Sequence, residues 1–238
     1  MKEIIKRVVE VAYKSREGHI PSSLSVLDLL YVLYEEKKEK IILSKGHASL
    51  GLYAIMEHFG LLEEDLNKFC EFDSLLGGHC TDKIKNVEIS SGSLGHGLPM
   101  AVGMALSYKI QKINKKIYVI IGDGEANEGS IWESALLASQ YNLDNLYCIM
   151  DYNLSGDRAL KLDDIIKKFQ SFNWDCRMID GHNHEQIHQW INVESHIRPV
   201  FILANTIKGK GIPMMENNPE WHHKIPNDEE YLKILNEL

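Results

Sequence analysis

A chain of 238 residues with 44% hydrophobic and 25% charged residues is long enough to bury a substantial core and too apolar to be disordered or of low complexity. Its 26 Lys plus Arg against 34 Asp plus Glu leave a formal net charge of -8, which argues against the broad basic footprint that nucleic acid or an anionic membrane surface requires. Any phosphate-bearing ligand must therefore be bound locally.

The opening residues MKEIIKRVVEVAYKS place apolar side chains at helical spacing between Lys, Glu and Arg, which predicts an amphipathic helix over 3–15 and not a signal peptide. A second helix is expected over 23–36, with Pro21, Ser22 and Ser23 as its start signal. Ile41-Ile42-Leu43 then reads as a short strand, Ser44-Lys45-Gly46-His47 as a loop, and the stretch to Phe59 as a helix ending near Gly60. Residues 77–97 are rich in Gly, Ser and His and read as a loop that brings backbone close to a ligand. A helix over 98–111 follows, with the small residues Ala101, Gly103 and Ala105 suited to close packing.

In the second half, apolar β-type runs at 117–121, 146–150 and 199–204 alternate with helical stretches at 128–141, 162–172 and 184–194. This alternation predicts an α/β fold: a mostly parallel sheet with helices on both faces and ligand chemistry at the carboxyl ends of the strands. The segment 227–238 is expected to form a solvated or docking helix. No linker or repeat divides the chain, so 1–238 is expected to be one domain. No window approaches the roughly 18 uncharged apolar residues of a membrane span. Cys70, Cys80, Cys148 and Cys176 lack Cys-x-x-Cys spacing and are expected to be reduced thiols in a cytoplasmic protein.

The sharpest chemical feature is Gly122-Asp123-Gly124-Glu125-Ala126-Asn127-Glu128-Gly129, where a strand gives way to a helix. Glycines there let backbone N–H groups approach a phosphate, and Asp123 can hold a divalent cation bridging two phosphates. Mg²⁺ takes about six oxygens, so further ligands should come from a neighbouring strand end. One βαβ unit of roughly 30 residues would put Asn153 beside Asp123, with a backbone carbonyl near Ser155 as another ligand. Either motif alone is an ordinary turn or helix start; together, at this spacing, they point to a metal–diphosphate site.

Gly-Asp-Gly followed about 30 residues later by Asn resembles the thiamine-diphosphate fingerprint, and the surroundings resemble transketolase in particular. Arg16-Glu17-Gly18-His19 with Ser22-Ser23-Leu24-Ser25 is similar to that family's first histidine loop, Leu43-Ser44-Lys45-Gly46-His47-Ala48 to its second and Gly77-Gly78-His79 to its third. Ser91-Gly92-Ser93-Leu94-Gly95-His96-Gly97 resembles its glycine-rich cofactor loop, and Thr206-Ile207-Lys208-Gly209-Lys210-Gly211 with Trp221-His222 its last histidine segment. The match covers the diphosphate-binding first portion of a transketolase, as in split transketolases whose pyrimidine-binding and C-terminal domains form a separate polypeptide.

The resemblance implies that Asp123, Asn153 and the Ser155 backbone hold Mg²⁺, that Gly124 faces the diphosphate, and that Gly92 and Leu94 lie against the cofactor rings. It also implies that His47 and His222 contact diphosphate or substrate, with His222 preferred to His223 because it follows Trp221. His19 and His79 would line the ketose channel as hydrogen-bond partners and proton carriers, a use that suits imidazole near neutral pH. Glu128 resembles the acid that connects to the glutamate of the partner. The implied function is transfer of a two-carbon ketol unit between sugar phosphates by an α2β2 assembly, in which a separate C-terminal subunit supplies the activating Glu. No nucleic acid or membrane partner is implied.

The sequence departs from the family at His96, where Gln is common, in the shorter 34–41 region, and at Leu154-Ser155-Gly156-Asp157-Arg158-Ala159, which replaces an Ile-Asp-Gly turn. Rival readings are the α subunit of a thiamine-dependent 2-oxo acid dehydrogenase, a specialised carbohydrate-biosynthesis enzyme of transketolase type, an inert scaffold and a nicotinamide-binding domain. The dehydrogenase would not explain 43–48 or the His79 loop. His182, His184 and His188 suggest zinc only weakly, because no fourth ligand is nearby and Gly181-His182-Asn183 reads as a helix start.

Overall fold

The computed structural model describes residues 1–38, 40–156, 159–195 and 197–238. Five parallel strands, β1 (Ile41–Leu43), β2 (Ile117–Gly122), β3 (Leu146–Tyr152), β4 (Asp175–Asp180) and β5 (Val200–Asn205), pair in the order β1-β2-β3-β5-β4 among the described residues. Along β2, Tyr118 and Ile120 enter one core while Ile117, Val119 and Ile121 enter the other, the period of two that a pleated strand imposes. Both sheet faces are covered, which is why the central strands read as unbroken apolar runs. Helices α1 (Lys2–Ser15), α2 (Ile20–Glu35), α3 (Ser49–His58) and α7 (His184–Ile191) pack on one face. Helices α4 (Gly97–Ile110), α5 (Gly129–Gln140) and α6 (Ile165–Ser171) pack on the other.

Periodicity missed β4, and its burial shows why. As an edge strand that pairs with β5 alone among the described residues, it exposes Arg177 and Met178 and buries just Cys176 and Ile179, one into each core. Helix α2 begins three residues earlier than its Ser-rich signal suggested, with Pro21 in the first turn, where a missing N–H costs nothing. Helix α6 starts at Ile165, capped by Asp164, and α7 stops at Ile191. The last helix, α8 (Asp228–Glu237), opens with a capping box of Asn227 and Glu230 and docks on α1, with Tyr231 stacked on Tyr13 at 3.9 Å. The 77–97 segment is irregular as expected, yet it buries Cys80, Ile84 and Ile89. All four cysteines are free thiols. Among the described residues no helix is long and apolar enough to cross a membrane.

Strand register decides which loops meet. Gly122 lies opposite Asp151 and Tyr152 opposite Asn205, so Asp123, Asn153 and the 206–208 loop leave neighbouring strand tips. Leu43 pairs with Ile120, which brings Ser44 to His47 to the same end of the sheet.

Candidate active site at the carboxyl ends of the strands

These loops enclose a cavity of about 350 Å³. Of the residues singled out from sequence, His19, His47, His79, Gly92, Leu94, Asp123, Gly124, Asn153, Ser155 and His222 all line it. Glu128 does not: it is exposed beside the glycine-rich loop, its Cβ within 2.6 Å of where a side chain on Gly95 would begin. His96 is also exposed and outside the lining, its Nδ1 3.1 Å from the Leu94 carbonyl. Asp157 and Arg158 of the departing loop lie outside the described residues. A cavity of similar size at the amino end of β1, between Tyr34, Ile41 and Phe59, gathers none of these groups.

The Gly122–Gly124 turn and the loop after β3 are in backbone contact. A Cβ on Gly156 would fall 2.7 Å from the Gly124 nitrogen, so only glycine fits there. Asp123 is buried; its Oδ1 accepts from its neighbour Gly124 N–H at 2.7 Å, while Oδ2 is buried without a hydrogen-bond partner among the described residues. Burial, with the nearby Asp151 carboxylate, raises the Asp123 carboxyl above its ordinary pKa. A desolvated carboxylate with an unused oxygen is the electrostatic signature of a place for a cation. Asn153 is held beside it: its Oδ1 accepts from Ser155 N–H at 3.2 Å and its Nδ2 lies 3.3 Å from Ser25 Oγ and from Asp151 Oδ2. An acid, an amide oxygen and adjoining backbone make an all-oxygen donor set, which suits Mg²⁺.

Behind these groups sits a buried ion pair that sequence reasoning assigned no role. Lys45 Nζ bonds Asp151 Oδ2, and the two side chains are 2% and 0% exposed. Ser25 Oγ donates to Asp151 Oδ2 at 2.6 Å, Thr206 Oγ1 to its other oxygen, and Lys45 also reaches the Ser22 carbonyl at 3.2 Å. Burial pushes the Asp151 carboxyl up, but Lys45 and the two hydroxyls outweigh it and hold it below the ordinary range. The second cation missed from sequence is Lys208, mostly buried, with Nζ 2.9 Å from Ser155 Oγ and 3.0 Å from His222 Nδ1. The available signal was a charged residue at the end of an apolar strand or within a glycine-containing loop at its tip.

The histidines converge from four segments. His19 lies 5.3 Å from His47, 5.4 Å from His222 and 4.4 Å from His223 by ring centroids, and its Nδ1 faces the His222 carbonyl at 3.1 Å. Of the adjacent pair, His222 lines the cavity, while His223 lies 3.8 Å from Glu17. Burial lowers His19 to about 4 and, with Lys45 adding, His47 to about 2. Both are neutral imidazoles at pH 7, each with one donor and one acceptor nitrogen. His182, His184 and His188 pair with carboxylates: the first two bond Asp28 at 2.8 and 2.7 Å, and the third bonds Glu36 at 2.8 Å.

Residues 7–236 match the family described as transketolase, thiamine diphosphate binding domain. The chain is 36% identical to a subunit of the apulose-4-phosphate transketolase of Phocaeicola vulgatus, over 98% of this chain and 90% of the relative. It is 33% identical to the 6-deoxy-6-sulfo-D-fructose transketolase subunit SqwG of a Clostridium species, over 99% and 93%. Among solved structures, transketolase from Campylobacter jejuni superposes with a TM-score of 0.87 at 27% identity over 95% of this chain. The chain spans 40% of that structure's length. These relatives favour the transketolase reading over a 2-oxo acid dehydrogenase α subunit. With the strand-tip carboxylate and amide, the histidine cluster and the relatives in agreement, the chain belongs to the transketolase family and carries its thiamine diphosphate-binding domain.

Proposed function

We propose that this chain is the diphosphate-binding subunit of a two-chain transketolase that moves a two-carbon ketol unit from a ketose phosphate donor to an aldose phosphate acceptor. The observation that carries this reading is the pairing of the unsatisfied Asp123 Oδ2 with Asn153 across two strand tips held in backbone contact at Gly124 and Gly156. Asp123, Asn153 and the Ser155 carbonyl would hold Mg²⁺, the backbone at Gly124 would lie against the diphosphate, and Lys208 would neutralise phosphate charge. Thiamine diphosphate, when bound, supplies the nucleophilic carbon and the electron sink for carbon–carbon cleavage. Gly92 and Leu94 would support its rings. His47 and His222 would contact diphosphate or donor sugar, and His19 and His79 would line the sugar channel as hydrogen-bond partners; held at about 4, His19 stays neutral at pH 7 and offers one donor and one acceptor nitrogen to a hydroxyl.

The partner would be a separate subunit carrying the activating glutamate, met by Glu128 at the surface. Two relatives of nearly this length are themselves named as subunits, which supports that division. Helices α4 and α5 pack side by side and expose Met100 (43%), Ile110 (72%), Leu136 (54%) and Leu137 (46%), an apolar surface of the kind obligate interfaces cover. Two copies of each chain would complete two sites. Four free thiols support a reducing, cytoplasmic setting.

The test is to purify the chain alone and with the product of the adjacent reading frame, supply Mg²⁺, thiamine diphosphate, a ketose phosphate and an aldose phosphate, and follow ketol transfer. Activity only in the mixture is expected. Full activity from the isolated chain would overturn the two-chain reading, and failure of the two chains to associate would overturn the partnership.

A further inference from the structure

Two residues after Asp123 lies Glu125, 1% exposed and without an assigned role in the chemistry. Its carboxylate collects donors from three separate segments: the Ser44 hydroxyl at the exit of β1, the Gly95 N–H at 2.8 Å in the glycine-rich loop, and the Gly122 N–H at 3.0 Å at the end of β2. Ser44 Oγ in turn accepts from Gly97 N–H at 3.0 Å, at the start of α4. On the other side, the Gly95 carbonyl accepts from Ser130 Oγ at 2.8 Å. The loop has no slack at these points. A Cβ on Gly95, whose φ is +81°, would lie 2.5 Å from Ser130 Oγ, and one on Gly97 would lie 2.3 Å from Ser44 Oγ.

Leu94, which lines the cavity, directly precedes the pinned Gly95, and Asp123 directly follows the pinned Gly122. We infer that Glu125 is a positioning residue: through one buried carboxylate it holds the ring-contacting Leu94 loop in register with the diphosphate-contacting Asp123 turn. The inference rests on the thiamine diphosphate reading of the cavity. A carboxylate suits this place because all three partners are donors; an amide would set its own N–H against one of them.

The experiment compares Glu125→Gln with Val119→Ala, a core change in β2 that touches none of the hydrogen bonds to Glu125, in the full-length chain assembled with its partner subunit. Hydrogen exchange by mass spectrometry reads the 92–97 backbone, and calorimetry reads binding of thiamine diphosphate and of inorganic pyrophosphate, each with Mg²⁺. Glu125→Gln is expected to speed exchange of 92–97 at least about tenfold over the Val119→Ala control. It is also expected to weaken thiamine diphosphate about tenfold while weakening pyrophosphate, which uses only the Asp123 end, less than about threefold. If Glu125→Gln does not fold, Ser44→Ala leaves the carboxylate in place and should speed exchange in the same segment by a smaller factor. Exchange no faster than in Val119→Ala, or equal weakening of both ligands, would overturn the inference. A wild-type assembly that binds pyrophosphate and thiamine diphosphate equally would refute the ring site instead, and the exchange arm would then decide whether Glu125 couples the two loops.

Discussion

Replacing Lys45 by Met in this transketolase-family chain keeps an apolar stem of similar length and deletes the cation that faces Asp151. The carboxylate left behind is wholly buried and retains Ser25 and Thr206 as donors. Breaking a buried pair from one side costs about 3–5 kcal/mol. The protein has one escape, which is to protonate Asp151. Neutralising a carboxyl with an ordinary pKa of 3.8 costs about 4 kcal/mol at pH 7 and under about 2 kcal/mol at pH 5. The retained donors place the expected loss at about 3–4 kcal/mol at pH 7, falling below about 2 kcal/mol at pH 5. The sign follows from linkage: without Lys45 the folded-state pKa of Asp151 rises above its unfolded value, so the folded variant takes up a proton first and gains relative to wild type as pH falls. Urea unfolding of wild type, Lys45→Met, Asp151→Asn and the double variant, at both pH values, measures the effect and the coupling. The double variant should recover at least about 1.5 kcal/mol over the sum of the single changes. A Lys45→Met loss under about 1 kcal/mol at pH 7, or one independent of pH, would refute the account of the pair.

Asp123→Ala removes both an oxygen ligand and the charge opposing Mg²⁺, and is expected to abolish Mg²⁺-dependent thiamine diphosphate binding in the assembled protein; calorimetry returning wild-type affinity would place the metal elsewhere. Gly156→Ala pushes a methyl to 2.7 Å from the Gly124 nitrogen and should weaken Mg²⁺–pyrophosphate binding at least about tenfold and lower Tm, read by calorimetry and thermal unfolding. Because burial holds folded His47 at about 2, the unfolded chain alone takes up that proton below pH 6.5, so stability falls with pH, by about 2 kcal/mol at pH 5 from this residue. His19, held at about 4, adds in the same direction with a smaller contribution because it is partly exposed. Urea unfolding at pH 7.5 and 5.0 should show a shallower slope in His47→Gln than in wild type, and equal slopes would count against the burial argument.

The chain's alternation of apolar runs and helical periods was legible because it is local: a central parallel strand covered on both faces is apolar along its length, and β2, β3 and β5 are so up to their carboxyl ends, where Asp151 and Asn205 stand. The glycine-rich loops were legible for the same reason, since Gly95 and Gly97 announce tight backbone where a side chain would intrude. Strand β4 was not, because an edge strand exposes half its side chains and ends on Asp175 and Asp180, so its pattern is that of a loop.

What the sequence alone determined, then, is the class of fold and the family, through motifs contained in a few consecutive positions; the same motifs named Asp123, Asn153 and the loop histidines, which line one cavity. Only the tertiary structure decided which distant groups those residues answer to. The pairing of Lys45 with Asp151 spans 106 positions and that of Ser44 with Glu125 spans 81. Neither leaves a periodic trace in the chain, because a buried charge is stabilised by whichever partner the sheet order brings within reach, and parallel crossovers make those partners remote in sequence.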